Sequence, residues 1–169
     1  EEQRTLLDSC RRRALWLLAD EVYERIYFNG TAAPSILRLC TRDDAVVVVQ
    51  SFSKSYCMTG WRLGWVAARQ DLVGKAAQLN EFIVSHAPSM VQRAGETALR
   101  DGEAFVQGMA ADVQRRVRFC QEALRGIPGV TLAPPEGAFY LFPRIEGLGD
   151  SFDFALNLLR EARVAFNHG

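Results

Sequence analysis

Apolar and polar positions change rhythm several times along this chain, and each rhythm predicts an element. Residues 1 to about 13 put Leu6, Leu7 and Cys10 on one face, as the last turns of an amphipathic helix do. Ala14 to Ala19 is a continuous apolar run closed by Asp20-Glu21. Such a run bounded by charge is the pattern of a strand buried on both faces of a parallel sheet. Aromatics fill residues 22 to 33 around the turn signal Asn29-Gly30, and a short helix or loop follows Pro34. Four valines, Val46 to Val49, continue to Gln50 as a second buried strand, and Leu63 to Ala67 reads as a third.

Helical spacing then takes over. Asp71 can cap a helix running to about Glu81. His86-Ala87-Pro88 breaks the pattern, and Ser89 can cap a second helix to about Arg100. Asp101-Gly102 interrupts again. Residues 103 to 125 form a long amphipathic helix, with Phe105, Met109, Val113, Val117, Cys120 and Leu124 at spacings of three and four. Gly126 and Pro128 stop it. Val130 to Leu132 and Ala138 to Phe142 read as short strands joined through Pro134-Pro135-Glu136-Gly137, and Ser151 caps a last helix to about Arg163. Strand-helix alternation predicts an α/β fold over residues 1–102. The long helix and the short strands predict a small α+β unit over residues 103–169. No internal repeat is visible.

Composition narrows the function classes. The chain is 49% apolar and 24% charged, with a formal net charge of zero, so it offers no global attraction to nucleic acid or an anionic membrane. Arg11, Arg12 and Arg13 form a short basic run suited to a solvated helix face. Cys10, Cys40, Cys57 and Cys120 match neither zinc-ligand nor redox spacing, so free thiols in a reducing cytoplasm are expected. Two histidines far apart make a metal site unexpected. No apolar run approaches the ~20 residues that span a bilayer. The polar start carries no signal peptide and no initiator methionine, as in a chain that begins mid-gene or has been trimmed.

The chemistry concentrates in Ser51-Phe-Ser-Lys-Ser-Tyr-Cys-Met-Thr-Gly-Trp-Arg-Leu-Gly64. The valine strand leads straight into it. It presents one amine, Lys54, with Ser51, Ser53 and Arg62 close by. Such a set suits covalent capture of a phosphorylated aldehyde: the amine attacks the carbonyl and the guanidinium and hydroxyls hold the phosphate. Ser53 serves equally well as a turn-forming hydroxyl. Gly60 and Gly64 permit a tight path around the arginine. Asp20 closes a predicted strand, where ligands bind in open α/β sheets. A carboxylate there can pair with a pyridine nitrogen and keep the ring an electron sink. Tyr23, three residues on, can face the same pocket and donate to a ring oxygen. Tyr27, Phe28, Trp61 and Trp65 read as packing and Cys57 as structural. Gly137-Ala138-Phe139-Tyr140 either brings an aromatic to a substrate pocket or forms a core strand.

Taken together, Asp20-x-x-Tyr23, Ser51-x-Ser53-Lys54 and Gly60-Trp61-Arg62-Leu63-Gly64 resemble the class I/II aminotransferases, pyridoxal-phosphate enzymes of fold-type I. Leu17-Leu18-Ala19-Asp20-Glu21-Val22-Tyr23 and Gly137-Ala138-Phe139-Tyr140-Leu141-Phe142-Pro143 are also similar to that family's segments, and the likeness runs to about residue 162. The resemblance implies a three-layer αβα large domain with a mainly parallel sheet, represented by residues 1–102, and an incomplete small domain over 103–169. It implies pyridoxal 5'-phosphate as cofactor. Lys54 would form the Schiff base, Asp20 would pair with the pyridine nitrogen, and Tyr23 would touch the ring oxygen. Ser51, Ser53 and Arg62 would hold the phosphate. It further implies an amino acid and a 2-oxo acid as substrates and a homodimer in the intact enzyme.

The departures shape the expectation. The family's early phosphate loop, stacking aromatic and Asn-Pro-x-Gly turn are not in this sequence. The late arginine that binds the substrate carboxylate is not either, and Arg163 stands where a glycine is usual. An interior piece is therefore expected, with open sheet edges, exposed apolar faces and no catalysis by these residues alone. A carbon–sulfur β-lyase or a cyclopropane-forming synthase shares the motifs, and assaying ammonia and pyruvate against amino-group exchange separates them. The sensor domain of a transcription regulator is an alternative from another class, though no basic helix-turn-helix is visible.

Overall fold

The computed structural model describes residues 1–168. Helix α1 (Glu2–Arg12) leads into strand β1 (Leu17–Asp20), and β2 (Val46–Ser51) follows after a long irregular segment with one 3-10 turn at Ile36–Arg38. Next come the four-residue helix α2 (Phe52–Ser55), strand β3 (Gly64–Ala68) and helices α3 (Gln70–Ile83), α4 (Ser89–Asp101) and α5 (Glu103–Arg125). Strands β4 (Val130–Leu132) and β5 (Pro143–Ile145) and helix α6 (Ser151–Ala162) complete the described order. The chain divides into two compact units, residues 1–116 with 136–139, and residues 117–135 with those from 140 onward. They part inside α5, whereas the sequence pattern places the boundary at its start.

In the first unit the described sheet runs β1-β2-β3. β1 and β2 are parallel, Leu17 opposite Val46 and Asp20 opposite Val49, while β2 and β3 are antiparallel with Ser51 opposite Gly64. The core forms where α1 covers one face: Leu7, Ile36, Val46 and Val48 are buried together, with Leu17, Ala19 and Ala67 against them. Alternation along β2 follows from the pleat, Val46, Val48 and Gln50 facing in. The other face corrects the expectation of strands buried on both sides. Leu18 is 68% exposed and Trp65 and Val66 are also exposed, because no described layer covers them.

Three cap assignments also change. Pro88, not Ser89, is the N-cap of α4, and Arg69 precedes α3 while Asp71 sits in its first turn. Asp150, not Ser151, caps α6: its Oδ1 accepts the Phe152 and Asp153 N–H groups at 2.9 Å each. In α5 the buried positions are Val106 and Val117, while Phe105 and Cys120 are exposed, so the apolar stripe starts one residue later than its spacing predicts.

In the second unit β4 pairs antiparallel with β5, Val130 opposite Ile145. The expected strand at 138–142 is absent. Ala138 takes φ +57°, which breaks an extended run, and residues 136–138 bond instead to 26–28 in the first unit. All four cysteines are free thiols. No helix among the described residues is long and apolar enough to cross a membrane.

Candidate active site

Two parallel neighbours open their carboxyl ends at the same place. Asp20 ends β1 opposite Val49, and β2 ends two residues later at Ser51, where the chain turns directly into α2. Ser51 makes that turn possible. It is extended, with φ −145° and ψ 145°, and its Oγ accepts the Ser53 N–H at 3.0 Å as an N-cap. Phe52, Ser53 and Ser55 point into the protein, and the Phe52 ring meets Trp65 edge-on at 5.1 Å. Lys54 is left half-buried on the open side.

The Lys54 amine lies 5.7 Å from the Tyr23 ring centre and 5.8 Å from that of Phe139. The two rings meet edge to face at 5.3 Å. Among the described residues Lys54 has no hydrogen-bond or ion-pair partner, so the amine is not committed to a carboxylate. Phe139 reaches this place through backbone pairing: Phe28 N–H donates to Glu136 O at 2.9 Å and Ala138 N–H to Ile26 O at 2.7 Å. A Cβ on Gly137 would stand 2.5 Å from the Ile26 carbonyl oxygen, so only glycine allows the approach.

Asp20 is exposed, and its Oδ1 accepts the Val22 N–H at 3.2 Å. It lines a cavity of about 470 Å³ with Tyr23, Glu24 and Ile26, while Lys54 and Arg62 do not line it. Burial pushes the Glu24 carboxyl up, and the charge of Glu21 adds to the rise. Beyond Tyr23, Arg25 sets one Nη on both oxygens of Glu103, at 2.7 and 2.6 Å. That hydrogen bonding holds the Glu103 carboxyl below the usual range and pins the segment to the start of α5.

Arg62 sits on the other flank of α2. It takes φ +53° after the 3-10 turn Thr59–Trp61, and its guanidinium is exposed. Nη1 donates to Thr59 O at 3.0 Å and reaches Ser53 Oγ at 3.5 Å. The turn is sewn to α2 by Phe52 N–H donating to Leu63 O at 3.1 Å and by Ser51 Oγ donating to the same oxygen at 3.4 Å. So Lys54 and Tyr23 stand together, Ser51, Ser53 and Arg62 stand together, and α2 belongs to both groups. Asp20 joins Tyr23 through the cavity. Cys57 is exposed with φ +54°, and Trp61 is 47% exposed rather than packed. The sequence carries no signal that residue 139 meets residue 54. Thr59 also belongs to this set, and its hydroxyl inside the same motif is the one sign of it in the sequence.

The family model for aminotransferase class I and II matches residues 1–169. The chain belongs to that family. An aspartate aminotransferase of Pyrococcus horikoshii is 32% identical to this aminotransferase-family chain over 167 residues, 97% of the chain and 42% of that protein. An aspartate aminotransferase of Geobacillus stearothermophilus is 32% identical, over 100% of the chain and 45% of its own length. Among solved structures, the aromatic aminotransferase of Pyrococcus horikoshii superposes with a TM-score of 0.89 at 32% identity, covering 96% of the chain and 44% of that structure. The aspartate aminotransferase of Thermotoga maritima gives a TM-score of 0.86 at 30% identity, covering 96% and 42%. The aminotransferase chain thus spans less than half the length of these relatives.

Proposed function

We propose that this chain is the lysine-bearing part of a pyridoxal-phosphate-dependent aminotransferase that exchanges an amino group between an amino acid and a 2-oxo acid. Residues 1–102 would belong to its cofactor-binding large domain, a three-layer αβα structure, and residues 103–169 to its small domain. The intact enzyme would be a cytoplasmic homodimer, a reading that rests on the resemblance.

One observation carries the proposal. An amine without a carboxylate partner stands at the end of a parallel strand pair, against an aromatic ring, with a strand-end carboxylate on the neighbouring strand. The donor set fits the cofactor. Asp20 has a carboxylate without an ion pair among the described residues, suited to a pyridinium nitrogen. Tyr23 offers a phenol for the ring oxygen. Arg62 and Ser53 offer N–H and O–H groups toward an anion, and Ser51 would add its hydroxyl by giving up the long 3.4 Å bond to Leu63 O. Bound there, pyridoxal phosphate would supply an aldehyde and an electron-withdrawing ring. Lys54 Nζ would act first as the nucleophile and then, released, as the base that moves a proton from the substrate α-carbon. Phe139 and Tyr23 would keep water from the amine.

The sequence contains only two lysines, Lys54 and Lys75, the latter on the exposed face of α3, which makes the test simple. Absorbance titration with pyridoxal phosphate is expected to give a saturable spectral change that Lys75→Ala keeps and Lys54→Ala loses. Equal changes in both variants would sink the proposal.

A further inference from the structure

Lys54 and Arg62 must keep a fixed separation if one ligand is to meet both, yet they sit on different short segments. The backbones are joined near the sheet, where Leu63 O accepts from Phe52 N–H at 3.1 Å and Met58 N–H donates to Phe52 O at 3.3 Å. Those bonds leave the exposed Arg62 side chain unplaced. Its guanidinium is set chiefly by Thr59, with a longer reach from Nη1 to Ser53 Oγ at 3.5 Å. The Thr59 carbonyl accepts from Arg62 Nη1 at 3.0 Å, and the Thr59 hydroxyl donates to Ser53 O at 3.2 Å. Ser53 O belongs to the peptide that leads into Lys54. One residue therefore holds the guanidinium with its main chain and the lysine helix with its side chain.

We propose that Thr59 is a positioning residue that sets Arg62 relative to Lys54 for a phosphate-bearing ligand. This rests on the reading of Arg62 as a phosphate group's partner. Thr59 itself touches no ligand in that arrangement. Without its hydroxyl the 59–61 turn loses the one side-chain bond that ties Thr59 to α2 while the backbone ties near the sheet remain, and the arginine regains rotamer freedom that binding must then remove. The loss is selective: α2 keeps its Ser51 cap and its buried Phe52 and Ser55, so the aldehyde-reactive amine stays in place while the grip on the phosphate weakens.

Thr59→Val keeps the branched shape and removes the hydroxyl, while Thr59→Ser keeps the hydroxyl. Each variant of the 169-residue chain is titrated with pyridoxal phosphate and with pyridoxal, which has the aldehyde and lacks the phosphate. Thr59→Val is expected to weaken pyridoxal phosphate about fivefold, the scale of one hydrogen bond, with pyridoxal unchanged and Thr59→Ser close to the parent. Equal weakening of both ligands, or of neither, overturns the inference. A parent chain that binds the two ligands alike contradicts the phosphate reading itself, and Thr59 is then judged without ligand. The Arg62 Nη1–H resonances, assigned by their loss in Arg62→Lys, should be dispersed and exchange-protected in the parent, averaged in Thr59→Val and restored in Thr59→Ser. An Arg62 signal unmoved by Thr59→Val, or already averaged in the parent, refutes the role.

Discussion

Gly64 faces Ser51 across the sheet, and a Cβ there would stand 2.5 Å from the Gln50 carbonyl oxygen. That oxygen is backbone and cannot swing away, so Gly64→Ala must push β3 from β2 at the strand end that feeds α2. A loss of about 1–3 kcal/mol in unfolding stability is expected, the cost of overpacking a closed contact. Urea unfolding checks it, and an unchanged midpoint would refute the close approach. At this scale much of the candidate site was legible. Asp20, Tyr23, Ser51, Ser53, Lys54 and Arg62 announce themselves by residue type and spacing within short segments. Phe139 and Thr59 did not, for different reasons. Phe139 arrives by backbone pairing with a segment more than a hundred residues earlier, which local pattern does not encode. Thr59 works through one hydroxyl bond to a carbonyl, and any threonine in a turn offers as much.

Elements are held by a few specific ties. α1 is pinned to the loop before β2 by Arg11, whose Nε and Nη2 donate to the two Asp44 oxygens at 2.7 and 2.6 Å. Asp44 also accepts the Thr41 N–H at 2.7 Å. These hydrogen bonds, those of Arg11 foremost, hold the Asp44 carboxyl far below the usual carboxylate range. A depressed folded value stabilises the fold above the unfolded value of about 4 and is lost as pH falls below it. Asp44→Asn should therefore lower the Tm at pH 7 and converge on the parent in acid, as a Tm series over pH shows. Parallel curves would contradict the assignment. α4 packs Gly95 onto the lysine helix, where a Cβ would clash with Leu63 Cδ2 and stand 3.1 Å from Phe52 Cζ. Gly95→Ala should cost about 1–2 kcal/mol, less than a backbone clash because the Leu63 side chain can turn aside. Thermal unfolding measures it, and a stabilised variant would show that α4 does not sit this close. The interiors of the main strands and helices were legible from periodicity. Their caps were not, since Asp150 and Ser151 are both good capping residues and only the backbone path selects between them.

Over the whole molecule, burial is uneven. Leu18 is 68% exposed, Phe82 88%, Ile83 75% and Phe142 80%. With a formal net charge of zero, little electrostatic repulsion opposes association of such surfaces. The purified chain should bind a hydrophobic dye such as ANS and associate as its concentration rises, with sedimentation velocity as the measure. A monodisperse monomer without dye binding would contradict this. The α/β character was legible because strand and helix rhythms alternate. The division into units was not, because residues 136–139 return to the first unit through backbone bonds that no composition shift marks. The proposed role of Lys54 as the amine that captures pyridoxal phosphate is open to borohydride reduction of the mixed chain followed by peptide mapping. One stable label is expected, on Lys54, with Lys75 unmodified at stoichiometric cofactor. Label shared evenly between the two lysines, or found on Lys75 alone, would contradict it.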